Sequence, residues 1–120
     1  MVAKYAHGLQ VTDARTGVLV TGDLNMERSE PEFAPLRTTK TGAALVDVTK
    51  ALPWYKRFTW RDGRKHLQLD HMLVSKNLGK EVHSVKIPHV STRTDAALHS
   101  DPVRAEGYSD HDPIVTTFEF

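Results

Sequence analysis

The sequence predicts an α+β fold in which a largely antiparallel sheet carries one or two packed helices. The chain opens with apolar residues at helical spacing, and a short apolar run bounded by glycines comes next. The second half alternates strand patterns with turn residues. Because the 120 residues contain no internal repeat or low-complexity tract, we expect residues 1–120 to form a single domain.

The first two elements are a helix and a buried strand. Val2, Tyr5, Ala6 and Leu9 recur at i, i+3, i+4 and i+7, which predicts an amphipathic helix that ends near residues 15–17. The apolar run at 18–20 is typical of a strand that is buried on both faces. We expect this strand to end in a polar loop.

Two short helical segments follow. Ser29 as a cap and an early proline predict a helix start, with Phe33 and Leu36 as its buried residues. Residues 42–52 predict another turn or two of helix, which Pro53 stops.

The remaining pattern is that of β-strands. The dipeptide Asp62-Gly63 predicts a tight hairpin between strands at 57–60 and 64–69. Further strands are predicted at 69–74, 81–87 and 114–120. The residues expected on one face of the last strand are Ile114, Thr116, Phe118 and Phe120.

Composition limits the classes of function. Sixteen Lys and Arg against fifteen Asp and Glu give a formal charge of +1, so any binding to a polyanion must be local. The absence of cysteine excludes a disulfide framework, a thiolate metal site and a thiol nucleophile. No run approaches the roughly 20 apolar residues of a membrane helix, and the first residues lack the apolar core of a secretory signal. The compartment therefore stays open.

Asp23 and Asn25 form the first candidate site, where the early strand opens into a loop. Residues i and i+2 of an extended segment point the same way, so the two side chains would face one spot. A carboxylate acceptor beside an amide donor could orient water against phosphorus. The alternative is an Asx turn that ends the strand.

Two further candidates lie in the second half. Asp70 and His71 interrupt an apolar strand, and a carboxylate there needs a partner. The alternatives are an ion pair with an arginine, or a core histidine whose hydrogen bonds are satisfied. Asp110, His111 and Asp112 stand just before the last strand, which favours a site over a turn rich in Asp and Pro.

In this order the three segments resemble the endonuclease/exonuclease/phosphatase family, also called DNase I-like. Its later motifs run GD-x-N, then LD with hydrophobic residues and a serine, then SDH-x-P, and all three occur here. The resemblance covers nearly the whole chain and implies the C-terminal half of a DNase I-like α/β sandwich. The last motif is most similar to bacterial extracellular nucleases, which makes an extracellular location an expectation by resemblance.

The resemblance also implies roles. Asp23 would orient or deprotonate the attacking water, Asn25 would hold a non-bridging oxygen, and Asp70 would hold a cationic His111. Asp110 would bind a hard divalent cation, Mg²⁺ with Mn²⁺ as the alternative. The family's first half supplies an asparagine, a metal-binding glutamate and a further histidine or tyrosine, so we expect the site to be incomplete in this chain.

Residues 54–66 predict a substrate surface, because cations interleave there with aromatic residues. Arg57, Arg61 and Arg64 would neutralise phosphates of a nucleic acid or another phosphodiester. The alternative is a hairpin that sends Phe58 and Trp60 together into the core and leaves the arginines solvated.

The leading hypothesis is a metal-dependent, nuclease-like phosphodiester hydrolase that a missing N-terminal half, a partner chain or a homodimer completes. A phosphomonoesterase or a lipid phosphodiesterase on the same scaffold is one alternative. A catalytically silent binding module or truncated remnant is the other.

Overall fold

The computed structural model describes residues 1–37, 45–92 and 109–120, and within these ranges the fold is mixed α+β. The helices are α1 (Val2–Thr12), α2 (Ala34–Arg37) and α3 (Lys76–Gly79), with 3-10 helices at Pro31–Phe33, Val48–Ala51 and Trp54–Lys56. The strands are β1 (Leu19–Asp23), β2 (Val46–Asp47), β3 (Trp60–Asp62), β4 (Lys65–Leu67), β5 (Asp70–Val74), β6 (Val82–Lys86) and β7 (Val115–Phe118).

Every strand pair in these ranges is antiparallel, as the sequence predicts. The largest sheet has the order β1-β5-β2, with β5 in the centre. The hairpin β3-β4 and the pair β6-β7 form two smaller sheets.

The core lies on both faces of β5. Leu73 and Val74 are fully buried, and consecutive strand residues point to opposite faces. Leu73 packs in a cluster with Phe33 of the helical segment and two alanines of α1, whereas Val74 packs with Val48 and Val85. The central strand therefore ties the helices and the β6-β7 pair to one sheet.

The opening helix forms, but the predicted apolar stripe is wrong. Ala3 and Ala6 are the buried residues of α1, whereas Val2, Tyr5 and Leu9 are 51%, 72% and 37% exposed. Small side chains at i and i+3 let the helix backbone approach the core cluster closely. The helix also ends short of the predicted residues 15–17.

The first strand is not buried on both faces. Val18 is buried, but Leu19 is 47% exposed. β1 lies at the edge of its sheet, and its Leu19 face is not covered by the described part of the chain. An apolar run does not distinguish a central strand from such an edge strand, which is why the prediction failed.

The helical segment after β1 buries Phe33 fully and Leu36 partly, as predicted. The predicted capping serine is wrong, because the N-cap residue is Glu30 and it makes no side-chain cap bond. Its carboxylate instead accepts a hydrogen bond from the backbone N–H of Glu27 and closes the preceding turn. Of the helix predicted at 42–52, the structure gives the 3-10 helix Val48–Ala51, and residues 42–44 lie outside the described ranges.

The hairpin is confirmed with a one-residue shift of its turn. Asp62 pairs with Lys65, so Gly63 and Arg64 form the turn, and Gly63 adopts a φ of 55° that favours glycine. In the last strand Phe118 is partly buried, but Phe120 is 97% exposed because β7 ends at residue 118. No helix in the described ranges has the length and apolarity that a membrane crossing requires.

Candidate active site

Asp23 and Asp70 are directly opposite each other in the sheet. Asp23 ends β1 and Asp70 begins β5, and the antiparallel register pairs the two residues. Directly paired strand residues project from the same face. The pairing therefore brings two carboxylates from distant parts of the sequence together where β1 ends and β5 begins.

His111 completes this cluster. Its Nδ1 lies 2.7 Å from Oδ2 of Asp70, and one ligand atom each from Asp23, Asp70 and His111 lie within 4.8 Å of one another. A backbone bridge between Trp60 and His111 fixes the segment against the β3-β4 hairpin. The cluster is partly open to solvent, since Asp23 is exposed and the other two are half-buried.

The surroundings of His111 favour its cationic form. Burial by itself lowers the pKa of His111, but the hydrogen bond and the charge of Asp70 outweigh it, and the charges of Asp110 and Asp23 add to them. The pKa of His111 is therefore raised from its ordinary value of 6.5. Asp70 also orients the ring, because its carboxylate fixes which nitrogen carries the proton toward it.

The loop after Asp23 differs from the extended segment that the sequence predicts through Asn25. Asn25 has a φ of 50°, and its backbone N–H donates to Oδ1 of Asp23 at 2.8 Å. This is the Asx turn that stood as the alternative. The chain turns at Asn25, so the prediction that Asn25 and Asp23 lie on one face of an extended segment is wrong.

Asp110 sits beside the cluster. Its Oδ2 accepts a hydrogen bond from the indole Nε1 of Trp60 at 3.2 Å, and its charge contributes to the raised pKa of His111. Within the described residues it is not one of the three side chains whose ligand atoms lie within 4.8 Å of one another.

Thr59 supports the site although it was not among the residues predicted from the sequence. Its side chain is fully buried, and its Oγ1 accepts hydrogen bonds from the backbone N–H groups of Leu69 (3.2 Å) and Asp70 (3.1 Å). Its carbonyl oxygen accepts a bond from the N–H of Asp112 at 2.7 Å. Thr59 therefore links the start of β5 to the segment that carries His111. A lone threonine before a strand offers no pattern that could have identified it.

Asp112 is buried and carries a dense hydrogen-bond network. Its Oδ1 accepts from the backbone N–H of Ser91 (2.8 Å) and Thr92 (3.1 Å), and its Oδ2 accepts from the Thr92 hydroxyl and lies 2.9 Å from Nδ1 of His89. Burial raises the pKa of Asp112, but these hydrogen bonds outweigh it and lower the pKa from its ordinary value of 3.8. Asp112 thus fixes the backbone next to His111.

His71 is a core histidine with satisfied hydrogen bonds, which is one of the two alternatives weighed from the sequence. It is fully buried, its Nε2 lies 2.8 Å from the carbonyl oxygen of Met26, and its ring packs on Phe33 at 4.5 Å. Among the described residues, the charged partner of Asp70 is His111 and not an arginine.

The three predicted substrate arginines lie around the hairpin. The guanidinium of Arg57 donates to the carbonyl oxygens of Leu52 (2.8 Å) and Lys50 (3.2 Å). The guanidinium of Arg61 donates to the carbonyl oxygens of Gly63 and Thr92. Arg64 is exposed in the turn of the hairpin.

Phe58 and Trp60 do not enter a common core. Both are partly buried, and neither belongs to the two apolar clusters of the described residues. Phe58 stacks on His89 with ring centroids 4.0 Å apart, whereas Trp60 turns its indole toward Asp110. Phe58 precedes β3 and is not part of the strand, so the alternation of strand residues does not place it on the same face as Trp60.

The donor chemistry of the cluster fits a hard divalent cation in part. Asp23 and Asp70 offer carboxylate oxygens, and Mg²⁺ usually binds one or two carboxylates and keeps several waters. His111 presents Nδ1 to Asp70, which leaves only its Nε2 for another partner. Asp23 and Asp70 are therefore the described residues best suited to hold such an ion.

Comparisons with known proteins bear on the family and the fold of the chain. The sequence profile described as "Endonuclease/Exonuclease/phosphatase family" matches residues 5–111. A solved structure of the 3′ phosphatase NExo from Neisseria, bound to a product DNA hairpin, superposes with a TM-score of 0.66 at 16% identity. The alignment covers 99% of this chain and 51% of that one, so the chain spans about half the length of this neighbour. No curated protein sequence matches the chain.

The superposition shows the fold, which is that of a DNase I-like fragment with antiparallel sheets and few helices. The profile match covers most of the sequence and includes all three polar segments except the end of the last one. The chain therefore belongs to the endonuclease/exonuclease/phosphatase family.

Proposed function

We propose that this chain is a metal-dependent phosphodiester hydrolase that acts on nucleic acid. The observation that carries the proposal is the cluster of Asp23, Asp70 and His111, in which a carboxylate holds an imidazole at 2.7 Å and a second carboxylate lies beside it. Titratable groups whose neighbours shift their protonation are typical of catalytic sites.

In the proposed reaction each side chain has a role besides any contact with the metal ion. Asp23, the exposed carboxylate, orients water or accepts its proton. Cationic His111, held by Asp70, stabilises the charge that develops on the phosphate or transfers a proton to the leaving oxygen. Asn25, in the Asx turn that follows Asp23, would offer its side-chain amide to a non-bridging oxygen. Arg57, Arg61 and Arg64 neutralise phosphates that flank the reacting one.

The proposed cofactor is Mg²⁺, with Mn²⁺ as the alternative. When bound, the ion would polarise the phosphoryl group and lower the energy of the developing charge. Asp110 remains a proposed ligand, because it lies beside the cluster and, among the described residues, the Trp60 indole bonds only one of its two oxygens. Asp23 and Asp70 would supply the other protein oxygens.

We also propose that residues 1–120 form one domain that corresponds to the C-terminal half of the family fold. The chain spans about half of its structural neighbour, and the Leu19 face of its edge strand is exposed. A complementary half, a partner chain or a second copy would supply further site residues. The chain by itself should then hydrolyse its substrate slowly.

A phosphomonoesterase is the second candidate. The structural neighbour is a 3′ phosphatase whose structure contains a product DNA hairpin. The same cluster could hydrolyse a terminal phosphate, because fold and metal chemistry do not fix the leaving group.

Three substrates distinguish these functions when they are incubated with the chain and Mg²⁺ or Mn²⁺. They are supercoiled plasmid, an oligonucleotide with a 3′ phosphate, and vesicles that contain phosphatidylinositol phosphate. We expect slow plasmid nicking that EDTA abolishes. Asp23→Ala and His111→Ala should each remove it, whereas Asp13→Ala, a carboxylate paired with Arg15 at an exposed site, should not.

Other outcomes have equally direct meanings. If inorganic phosphate is released from the 3′ end of the oligonucleotide and the plasmid is not nicked, the chain is a phosphomonoesterase and not a phosphodiesterase. Activity that survives both site substitutions would come from a contaminant. If none of the three substrates is hydrolysed with either metal, the proposal that this chain hydrolyses them by itself is wrong, and the alternative of a catalytically silent module stands.

A further inference from the structure

An open cavity of about 900 Å³ lies next to the candidate site. Two of its lining residues stand two positions from site residues: Glu27 follows Asn25, and Gln68 precedes Asp70. Two residues of chain span at most about 7 Å. The backbone of one wall residue, Gln68, therefore lies within about 7 Å of that of Asp70 in the cluster.

The charge of the cavity wall is positive. Arg28, Arg37 and Arg57 line it together with the single carboxylate of Glu27. Arg28 lies 3.3 Å from the buried Asp47, which balances its charge. Arg57 donates only to carbonyl oxygens and Arg37 lies over the Phe33 ring, so neither is neutralised by a carboxylate of the described residues. Arg37 and Arg57 are thus the two cations available to an anionic ligand, and with the carboxylate of Glu27 counted the wall keeps one net positive charge.

The rim of the cavity offers an uncovered aromatic face. Trp54 is 80% exposed, and Tyr55 meets it edge-on with ring centroids 6.0 Å apart. Phe58, by contrast, is covered by His89 on one side and contacted by His66 on another. Trp54, which is more exposed than Tyr55 at 58%, is therefore the ring best placed to stack on a flat ligand.

The wall of the cavity is fixed relative to the site. Phe58 stacks flat on His89, and Nδ1 of His89 lies 2.9 Å from the buried carboxylate of Asp112. Asp112 directly follows His111 in the chain. This continuous set of contacts holds the cavity and the catalytic histidine in one geometry.

We propose that this cavity binds one nucleotide of a single-stranded nucleic acid, next to the phosphate that the Asp23 and His111 site would hydrolyse. The inference rests on the proposed function of that site. Trp54 stacks on the base, and Arg37 and Arg57 neutralise the adjoining phosphate. The volume of the cavity falls within the range of about 300–1,000 Å³ that is usual for small-ligand pockets. A single strand fits because its bases are free to leave the stack.

The test measures binding of a fluorescein-labelled octathymidylate by fluorescence anisotropy in EDTA, where hydrolysis does not interfere. We expect Trp54→Ala and Arg37→Gln each to raise the Kd at least about fivefold, since both side chains lie on the exposed rim. The matched controls are Tyr5→Ala, an exposed ring on α1, and Arg15→Gln, an exposed arginine of the turn after α1. Both should bind like the unaltered chain.

Equal affinity across the two cavity variants and the two controls would overturn the inference. A blunt duplex that binds as tightly as the single strand would also overturn it, because a stacked base cannot reach Trp54. Nicking by the same proteins with Mg²⁺ is a separate readout. If the cavity variants weaken binding but the unaltered chain never hydrolyses DNA, the proposed function fails and the strand-binding site stands.

Discussion

The imidazole Nδ1 of His111 lies 2.7 Å from the carboxylate of Asp70, although 41 positions separate the two residues in the chain. The pair joins the start of the central strand to the segment before the last strand. Its geometry determines the protonation state on which the proposed chemistry depends.

Asp70→Asn should lower the pKa of His111. The substitution removes the charge and weakens the hydrogen bond that raise this pKa, and the opposing effect of burial remains. An NMR titration of the His111 ring protons in EDTA measures the change directly. Asp13→Asn provides a control carboxylate far along the chain, and an unaltered His111 titration in Asp70→Asn would contradict the assignment of Asp70 as its partner.

The raised pKa of His111 also predicts how stability depends on pH. A group whose folded pKa lies above its unfolded value stabilises the fold fully below the unfolded value, here about 6.5. The contribution is lost as the pH rises through the higher folded pKa. Urea unfolding of the chain and of His111→Gln, measured in EDTA from pH 5.5 to 9, should show the largest difference at acid pH. If the difference in unfolding free energy between the two proteins grows with pH, the pKa of His111 is not raised in the fold.

Thr59→Val should destabilise the fold by about 1–3 kcal/mol, because it leaves the N–H groups of Leu69 and Asp70 without their buried acceptor. It should also disturb the approach of Asp70 to His111 and bring the pKa of His111 closer to its ordinary value. Denaturant unfolding and the NMR titration report the two effects. Thr59→Ser keeps the hydroxyl and should restore both the stability and the pKa of His111. If Thr59→Val changes neither quantity, Thr59 does not position Asp70 against His111.

Asp112→Asn should destabilise the fold by about 1–3 kcal/mol at pH 7, since an amide nitrogen cannot accept the hydrogen bonds that one carboxylate oxygen receives. Because the pKa of Asp112 is lowered in the fold, its stabilising effect is present above about pH 3.8. The effect is lost as the pH falls through the folded pKa. Thermal unfolding of the unaltered chain and of Asp112→Asn at pH 7 and pH 3 measures this effect. The difference in Tm between the two proteins should be smaller at pH 3 than at pH 7.

Much of the fold follows from local patterns that the chain carries along its length. The hairpin around Gly63 and the strand Asp70–Val74 match the turn chemistry and apolar runs that predict them. The choice of buried face does not follow in the same way. Val2 and Tyr5 look like core residues, but Ala3 and Ala6 face the core, because close packing against Phe33 favours small side chains.

The sequence by itself determined the residue types of the site and their order, because the motifs around Asp23, Asp70 and His111 are contiguous strings. Only the tertiary structure decided which groups meet. The β1-β5 register places Asp23 opposite Asp70, and buried Thr59 and Asp112 bring His111 to them. Hydrogen bonds between residues 40 or more positions apart depend on packing, which no local pattern encodes.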